Sequence, residues 1–295
     1  MICLLSLGAT ANSADVVSIV SSEAAPYRQA QESLAKQLAA NGHRLRPMTM
    51  DNLATGGMGL LGDAAYVVAI GSSAAIWLHD KKPVMPLVYC MVSNPERAGL
   101  LTLPPAVGIT TDVPIADQLH LIKEALPDCT SVGVLYREND AQSRQDLEAM
   151  RKALPMGTRL EAVAIDKEAS PAAAIDGLLA KNVEVVWTYS DSQIWNEATV
   201  RSLLLFALRR KVPVFGFSTA FVRAGALLGV GLDPLTQGAQ AAGIVQDLIM
   251  GRMVDNRVVV PIYDICLNLV VAQKLSLTLP KTLQDRAKQV FGGGR

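Results

Sequence analysis

The stretch VEVVWTYSDSQIWNE, Val183 to Glu197, carries an apolar run into Tyr189, Ser190, Asp191 and Ser192 and then into a helical pattern. One acid between two hydroxyls has no base, nucleophile or metal-ligand partner beside it. What it offers is a carboxylate and several hydrogen-bonding groups, the chemistry of holding a small polar molecule. The same kind of ending recurs along the chain. Ser21 and Ser22 follow VVSIV, Ser72 and Ser73 follow YVVAIG, Ser93 and Asn94 follow PLVYCMV, Arg137 to Asn139 follow SVGVLY, and Ser218 and Thr219 follow VPVFGF. Taken singly, each serine or asparagine is also a preferred helix N-cap. Their repetition, with Asp191 among them, points to a pocket. The candidate ligand-binding residues are Ser21, Ser22, Ser72, Ser73, Ser93, Asn94, Asn139, Tyr189, Asp191, Ser192 and Ser218, with Tyr27 on the first helical stripe and Trp195 at the pocket rim.

Two of these positions suggest the charge pattern of the ligand. Ser72 and Ser73 stand where a strand hands over to a helix running to about Lys81, so unpaired backbone N–H groups and hydroxyls suit a carboxylate. Asp191 ends an apolar strand, where a desolvated carboxylate is costly unless a cation or several donors meet it, and a ligand ammonium would do so. Together they favour an amino acid or similar small zwitterion. The competing assignments are ordinary capping at Ser72 and Ser73, and capping by Asp191 of a helix beginning near Trp195.

Other chemistries lack their residues. The histidines, His43, His79 and His120, are neither beside a hydroxyl nucleophile nor at metal-ligand spacing, and no GxSxG elbow is present. GGMGLLG contains GxGxxG at Gly57, Gly59 and Gly62, with Asp80 further on, but these glycines lead into a strand instead of following one, the wrong context for dinucleotide binding. Trp77, Trp187 and Trp195 read first as core, with Trp195 the best placed to stack on a ligand. Outside Cys3, the cysteines are Cys90, Cys129 and Cys266, without a CxxC pair, so no zinc site or disulfide framework is indicated. No cofactor or metal is expected.

Composition agrees with a soluble binding module. Half of the 295 residues are hydrophobic, enough for a large core, and the 27 basic and 27 acidic residues leave no footprint for nucleic acid or an anionic membrane surface. The opening MICLLSLGATANSAD has an apolar stretch from Ile2 to Leu7 and then Ala9-Thr10-Ala11, a small-x-small cleavage pattern. Residues 1–14 therefore read as a secretion signal, the alternative being a buried first strand because a basic leading segment is missing. No later run reaches the roughly 18 apolar residues of a membrane span.

The elements that must position the candidates are short apolar runs at Val16, Tyr66, Pro86, Ser131, Leu160, Val183, Val212 and Leu227. Their continuity predicts strands covered on both faces. Helical stripes alternate with them. Tyr27, Ala30, Gln31, Leu34 and Leu38 form one that stops at Gly42, and Ile115, Leu119, Ile122 and Leu126 another that stops before Pro127. This alternation predicts parallel α/β sheet. Roughly ten strands exceed the usual content of one open sheet, so two similar lobes are expected, with ligand groups beyond the carboxyl ends of the strands.

The blocks PLVYCMVSNPERAGLL, GITTDVPIADQLHLIKEALPDCTSVGVLY, VEVVWTYSDSQ, FVRAGALLGVGLDPLTQGAQAAGIVQDLIMG and CLNLVVAQKLSLTLPKTL resemble, in order and spacing, the bacterial ABC-transporter substrate-binding proteins whose better-known members take up tryptophan or related amino acids. The likeness runs from Val16 to the last helix. It implies the type I periplasmic-binding-protein fold, two Rossmann-like α/β lobes with parallel sheets joined by three crossovers and closing on a ligand. The crossovers are placed near Gly108 to Val113, Leu232 to Pro234, and Pro261 to Asp264. The lobes are then 15–112 plus 234–261, including a helix from Thr236 to Met250, and 113–233 plus 262–295. The chain departs from the family pattern at Asn94, where an aspartate is usual before proline, and at Pro234, where a tyrosine is usual. The resemblance further implies a monomeric periplasmic protein, not an enzyme, that delivers its ligand to an ABC permease in the inner membrane. No lipobox cysteine follows the apolar leader, so a free protein is expected over a lipid-anchored one. A ligand-sensing module serving a signalling partner is the alternative.

Overall fold

The computed structural model describes residues 13–102, 106–254 and 256–292. The expected leader falls almost wholly outside them. The chain folds as two compact units: unit 1 holds the described residues through Asp112 and Asp233–Ile262, and unit 2 holds Val113–Leu232 and those from Tyr263 onward.

Unit 1 opens with β1 (Asp15–Val20), α1 (Ala25–Ala40), β2 (Arg44–Thr49), α2 (Met50–Gly56), β3 (Tyr66–Ile70), α3 (Ser72–Asp80), β4 (Leu87–Val92) and β5 (Val107–Thr110). Unit 2 follows with α4 (Ile115–Ala125), β6 (Ser131–Tyr136), α5 (Ala141–Ala153), β7 (Arg159–Ala164), α6 (Pro171–Leu179) and β8 (Val185–Trp187). It continues through α7 (Glu197–Arg209), β9 (Val214–Gly216), α8 (Thr219–Ala224) and β10 (Leu228–Gly231). The chain returns to unit 1 for α9 (Pro234–Ile249) and β11 (Val258–Val259), then to unit 2 for β12 (Asp264–Asn268), α10 (Leu269–Lys274), α11 (Lys281–Arg286) and β13 (Gln289–Phe291).

The unit 1 sheet has the order β11-β5-β4-β3-β1-β2 and is parallel throughout. Successive residues of its central strands enter opposite cores. Val17, Ile19, Val67 and Ala69 pack on one face with Leu53, Leu61 and Leu78, whereas Val16, Val20, Val68 and Ile70 pack on the other with Leu34 and Leu38 of α1 and Ala241 and Val245 of α9. Coverage of both faces is why these strands read as unbroken apolar runs. Helices α1 and α9 lie in close contact, and a Cβ at Gly238 would stand 2.1 Å from the Ala30 carbonyl oxygen, so only glycine fits there.

The unit 2 sheet has the order β13-β12-β10-β9-β8-β6-β7. Its core is one continuous cluster built on Val132, Val134, Val185, Val186, Trp187 and Phe215. Trp187, fully buried, donates its indole N–H to Gln118 Oε1 at 2.9 Å. The expectation of parallel pairing fails at one seam: β12 runs antiparallel to β10. No helix of unit 2 lies between β12 and the chain's return at Tyr263, so no βαβ connection dictates its direction.

Five strands escaped the apolar-run reading. β2 contains two arginines and Pro47, tolerable because β2 is the edge of its sheet. β11 and β13 are two and three residues long. β5 and the start of β12 lie in the stretches read as crossovers, where Val107–Thr110 and Asp264–Asn268 join the sheets.

Candidate ligand-binding site

Parallel pairing sends the carboxyl ends of β1, β3, β4 and β5 to one edge of unit 1, and those of β6, β7, β8 and β9 to one edge of unit 2. Most of the candidate residues stand on these two edges.

At the unit 1 edge, Ser21 and Tyr27 meet the start of α3. The Ser21 hydroxyl accepts the Ala74 N–H at 3.0 Å, so the serine that caps α3 comes from the loop after β1 and not from Ser72 or Ser73. The N–H groups of Ser72 and Ser73 have no intrahelical acceptor, being in the first turn, and Ser73 is exposed. Gly71, at φ 95°, lets the chain make this turn; a Cβ there would stand 2.5 Å from Ser21 Oγ and 2.8 Å from the Tyr27 ring. Ser22 is exposed and accepts the Ala24 N–H at 3.4 Å.

Ser93 and Asn94 share that edge and bind one carboxylate. Ser93 Oγ donates to Asp112 Oδ1 at 2.8 Å, while the Asn94 N–H and the Thr110 hydroxyl donate to Oδ2 at 2.6 and 2.7 Å. Asn94, at φ 44°, turns its side-chain oxygen to the Arg97 N–H at 3.0 Å. Asp112 organises this loop, and the sequence reading missed it because it lies 18 residues from Asn94.

The unit 2 edge is a denser polar network. Arg137, after β6, donates from Nε to Asp191 Oδ2 at 2.9 Å, and its Nη2 lies 3.4 Å from Asp140. Burial works against the guanidinium charge, but the hydrogen bond and negative charge of Asp191, with that of Asp140, outweigh it and raise the Arg137 pKa. The Arg137 backbone N–H donates to Ser143 Oγ at 2.8 Å, and that hydroxyl lies 2.5 Å from the Tyr189 hydroxyl. Burial pushes the Tyr189 phenol upward, partly offset by the bond to Ser143, so Tyr189 is a neutral hydrogen-bonding group at physiological pH. Beside it, the Glu138 and Asn139 N–H groups donate to the Asp166 carboxylate at 2.9 and 2.8 Å. Burial disfavours the charge on Asp166, but these donors prevail and lower its pKa.

Asp191 is thus not the cap of the next helix. Asn196 caps α7, accepting the Thr199 N–H at 3.0 Å, whereas Asp191 Oδ1 accepts the Gln193 N–H within a turn. Asp191 also meets a cation of the protein itself, Arg137, through Oδ2. Arg137 entered the sequence reading only as part of a polar strand end; nothing local showed that it reaches 54 residues along the chain. Ser192 is exposed in the same turn.

Trp195 does not open the helix but precedes it, 8 % exposed, stacked edge-to-face on Phe221 at 5.7 Å. Its indole N–H has no partner among the described residues. With Leu204, Phe217, Ser218 and Phe221 it lines a groove of about 660 Å³ on unit 2. Ser218 caps α8, accepting the Phe221 N–H at 3.3 Å.

His43, the GxGxxG glycines and the cysteines have defined places in the fold. His43 Nδ1 accepts the Ala14 N–H at 3.2 Å, which leaves Nε2 to donate to Gln246 Oε1 at 2.8 Å. The GxGxxG glycines lie between α2 and β3, ahead of the strand. Cys90, Cys129 and Cys266 are buried free thiols, with burial pushing Cys90 up to about 12. Among the described residues no cluster of three metal-ligating side chains occurs, and no helix is long and apolar enough to cross a membrane.

Comparison with known proteins connects this geometry to a family. A family model described as ABC transporter substrate binding protein matches residues 59–291. A curated tyrosine-binding protein of Clostridioides difficile (strain R20291) is 24 % identical over 198 residues, covering 65 % of this chain and 56 % of that protein. Among solved structures, the ligand-free, open form of a substrate-binding protein with adhesive properties from Clostridium difficile superposes with a TM-score of 0.79 at 18 % identity, covering 95 % of this chain and all of that one. An ABC domain from Streptococcus pneumonia in complex with L-Trp gives a TM-score of 0.63 at 21 % identity, covering 95 % of this chain and all of that one. A conserved domain protein from Vibrio cholerae gives 0.65 at 23 %, covering 94 % and 99 %. At these identities the structural likeness establishes the fold, the type I periplasmic-binding-protein fold. The family's own pattern extends through both units, and the chain belongs to the ABC transporter substrate-binding proteins.

Proposed function

We propose that this chain is the exported solute-binding component of an ABC importer and that its ligand is an amino acid. The observation that carries the proposal is that each unit has a polar edge at its strand ends and that the two edges differ in character. Unit 1 offers the first-turn N–H groups of Ser72 and Ser73. Unit 2 offers an acid, Asp191, whose side chain is only 9 % exposed, beside the Tyr189 hydroxyl. Backbone N–H groups at a helix start favour a carboxylate. Asp191 holds Arg137 through one oxygen, and a carboxylate has about four acceptor sites, leaving room for a ligand ammonium. An amino acid engaging both edges would stabilise the arrangement of units that lets it touch both, a population shift governed by its differential contacts. Binding and release, with no bond made or broken, is the whole activity, and a membrane permease is the partner that receives the ligand.

The tyrosine named for the curated relative and the L-Trp in the pneumococcal complex support aromatic amino acids as the first ligands to try. Purified protein, unfolded and refolded to strip carried ligand, should be titrated with each common L-amino acid by calorimetry. Saturable 1:1 binding of at least one aromatic amino acid is expected. Absence of binding across the set overturns the assignment.

A further inference from the structure

Strand β4 breaks its own alternation. Leu87 and Tyr89 face the core on the α3 side of the unit 1 sheet, and Val88 and Cys90 face the α1 and α9 side. Met91 should then return to the α3 side. Instead it packs with Cys90 against the α1 and α9 side, and Val92 goes back. The cause is one extra residue: Tyr89 pairs with Gly108 and Val92 with Thr110, three steps on β4 against two on β5. Met91 takes up the difference at φ 56°, left-handed backbone that an L side chain adopts only at a cost.

A bulge of this kind leaves its extra N–H off the ladder. Here that N–H donates to Gln237 Oε1 of α9 at 3.1 Å. Gln237 is 1 % exposed, and its Nε2 has no partner among the described residues. The carboxamide is not free to reverse, because Met91 presents a donor and must be met by the oxygen, which strands the NH2. A left-handed methionine and a buried unpaired donor are therefore two unfavourable features maintained at one point. What they secure is orientation. A strand's side chains change face with every one-residue slip, so without the extra residue Ser93 and Asn94 would exchange faces and lose Asp112.

We propose that Gln237 is a positioning residue for the ligand-binding edge of unit 1: by holding the bulge at Met91 it sets the face on which Ser93 and Asn94 are presented. The proposal rests on the ligand site described above. Its test compares wild type, Gln237→Leu and the double variant Gln237→Leu/Met91→Gly, with L-tyrosine and L-tryptophan as calorimetric probes. Gln237→Leu removes the acceptor but also the stranded donor and the reason for strain. Affinity should fall by about tenfold or more, the scale of losing a buried hydrogen bond, while Tm stays level or rises. Glycine accepts positive φ freely, so the double variant should recover most of that loss. Amide exchange followed by NMR needs no ligand: the Met91 and Asn94 N–H groups should exchange faster in Gln237→Leu, and Asn94 should regain protection in the double variant. Unchanged affinity and exchange, or a loss that tracks Tm and is not recovered by Met91→Gly, overturns the proposal. Should wild type bind neither amino acid, the ligand assignment fails and the exchange pattern alone decides Gln237. Should Gln237→Leu not fold, Gln237→Glu keeps the acceptor and must keep both amides protected; loss of that protection overturns the proposal equally.

Discussion

At the scale of single residues, the polar edge of each unit is organised by carboxylates that collect donors from distant parts of the chain. Asp112 gathers Ser93, Asn94 and Thr110, Asp166 gathers Glu138 and Asn139, and Asp191 holds Arg137. Each pins two strand ends to one another, which keeps the loops on an open edge from fraying. For Asp191 the arrangement changes what a substitution should do. Asp191→Asn leaves Arg137 with Asp140 alone at 3.4 Å, so the empty protein should lose about 1 kcal/mol, as expected of a partly exposed pair. If Asp191 also receives a ligand ammonium, affinity should drop by about 2 kcal/mol, on the scale of a charged contact in a desolvated site. A double-mutant cycle with Arg137→Met separates the two roles. Asp191→Asn should still cost affinity in the Arg137→Met background; no further cost there would mean that Asp191 acts only through Arg137.

At the scale of elements, the opposite edge of unit 2 is pinned by Glu184, one residue before β8. Its carboxylate accepts the Thr130 and Ser131 N–H groups at the start of β6, the Ser131 bond at 3.0 Å. The Thr130 donor outweighs the opposing effect of burial, and with Ser131 it lowers the Glu184 pKa. A folded pKa below the unfolded one means stability that is complete above about pH 4.3, the ordinary glutamate value, and that is lost as pH falls through the lower folded value. Glu184→Gln should therefore melt below wild type at pH 7, with a smaller difference at pH 3. Thermal melts at the two pH values check this, and an equal deficit at both would show that the charge is not what holds β6 to β8.

At the scale of the whole molecule, each unit has its own core and its own polar edge, and the chain passes between them after Asp112, Leu232 and Ile262. Under the proposed function, ligand shifts the population of the protein's arrangements by its differential contacts with each. Small-angle scattering should show the radius of gyration falling when a ligand that binds by calorimetry is added, and Asp191→Asn should blunt the change at a given ligand concentration. Binding with an unaltered scattering curve would separate recognition from closure.

What the sequence determined by itself is what depends on period and order. Continuous apolar runs alternating with helical stripes specify doubly covered parallel strands, and their number specifies two sheets, because one sheet of that size would have to split. The placing of Ser21, Ser72, Ser93, Asn139, Tyr189 and Ser218 at strand ends follows from the same order. What tertiary structure decided is which partner each polar group found. Local sequence offers Asp191 a helix to cap, but Asn196 sits nearer that helix start and Arg137 is brought in from β6, so pairing across the sheet prevails over capping along the chain. Ser72 and Ser73 likewise give way to Ser21 as the source of the α3 cap. The bulge at Met91 and its hold by Gln237 had no signature at all, since PLVYCMV reads as an unbroken strand and the acceptor lies 146 residues away. Periodicity is a property of neighbours in the chain, whereas hydrogen-bond partners at a sheet edge are neighbours only in space, and that is why the fold was legible and the wiring of its edges was not.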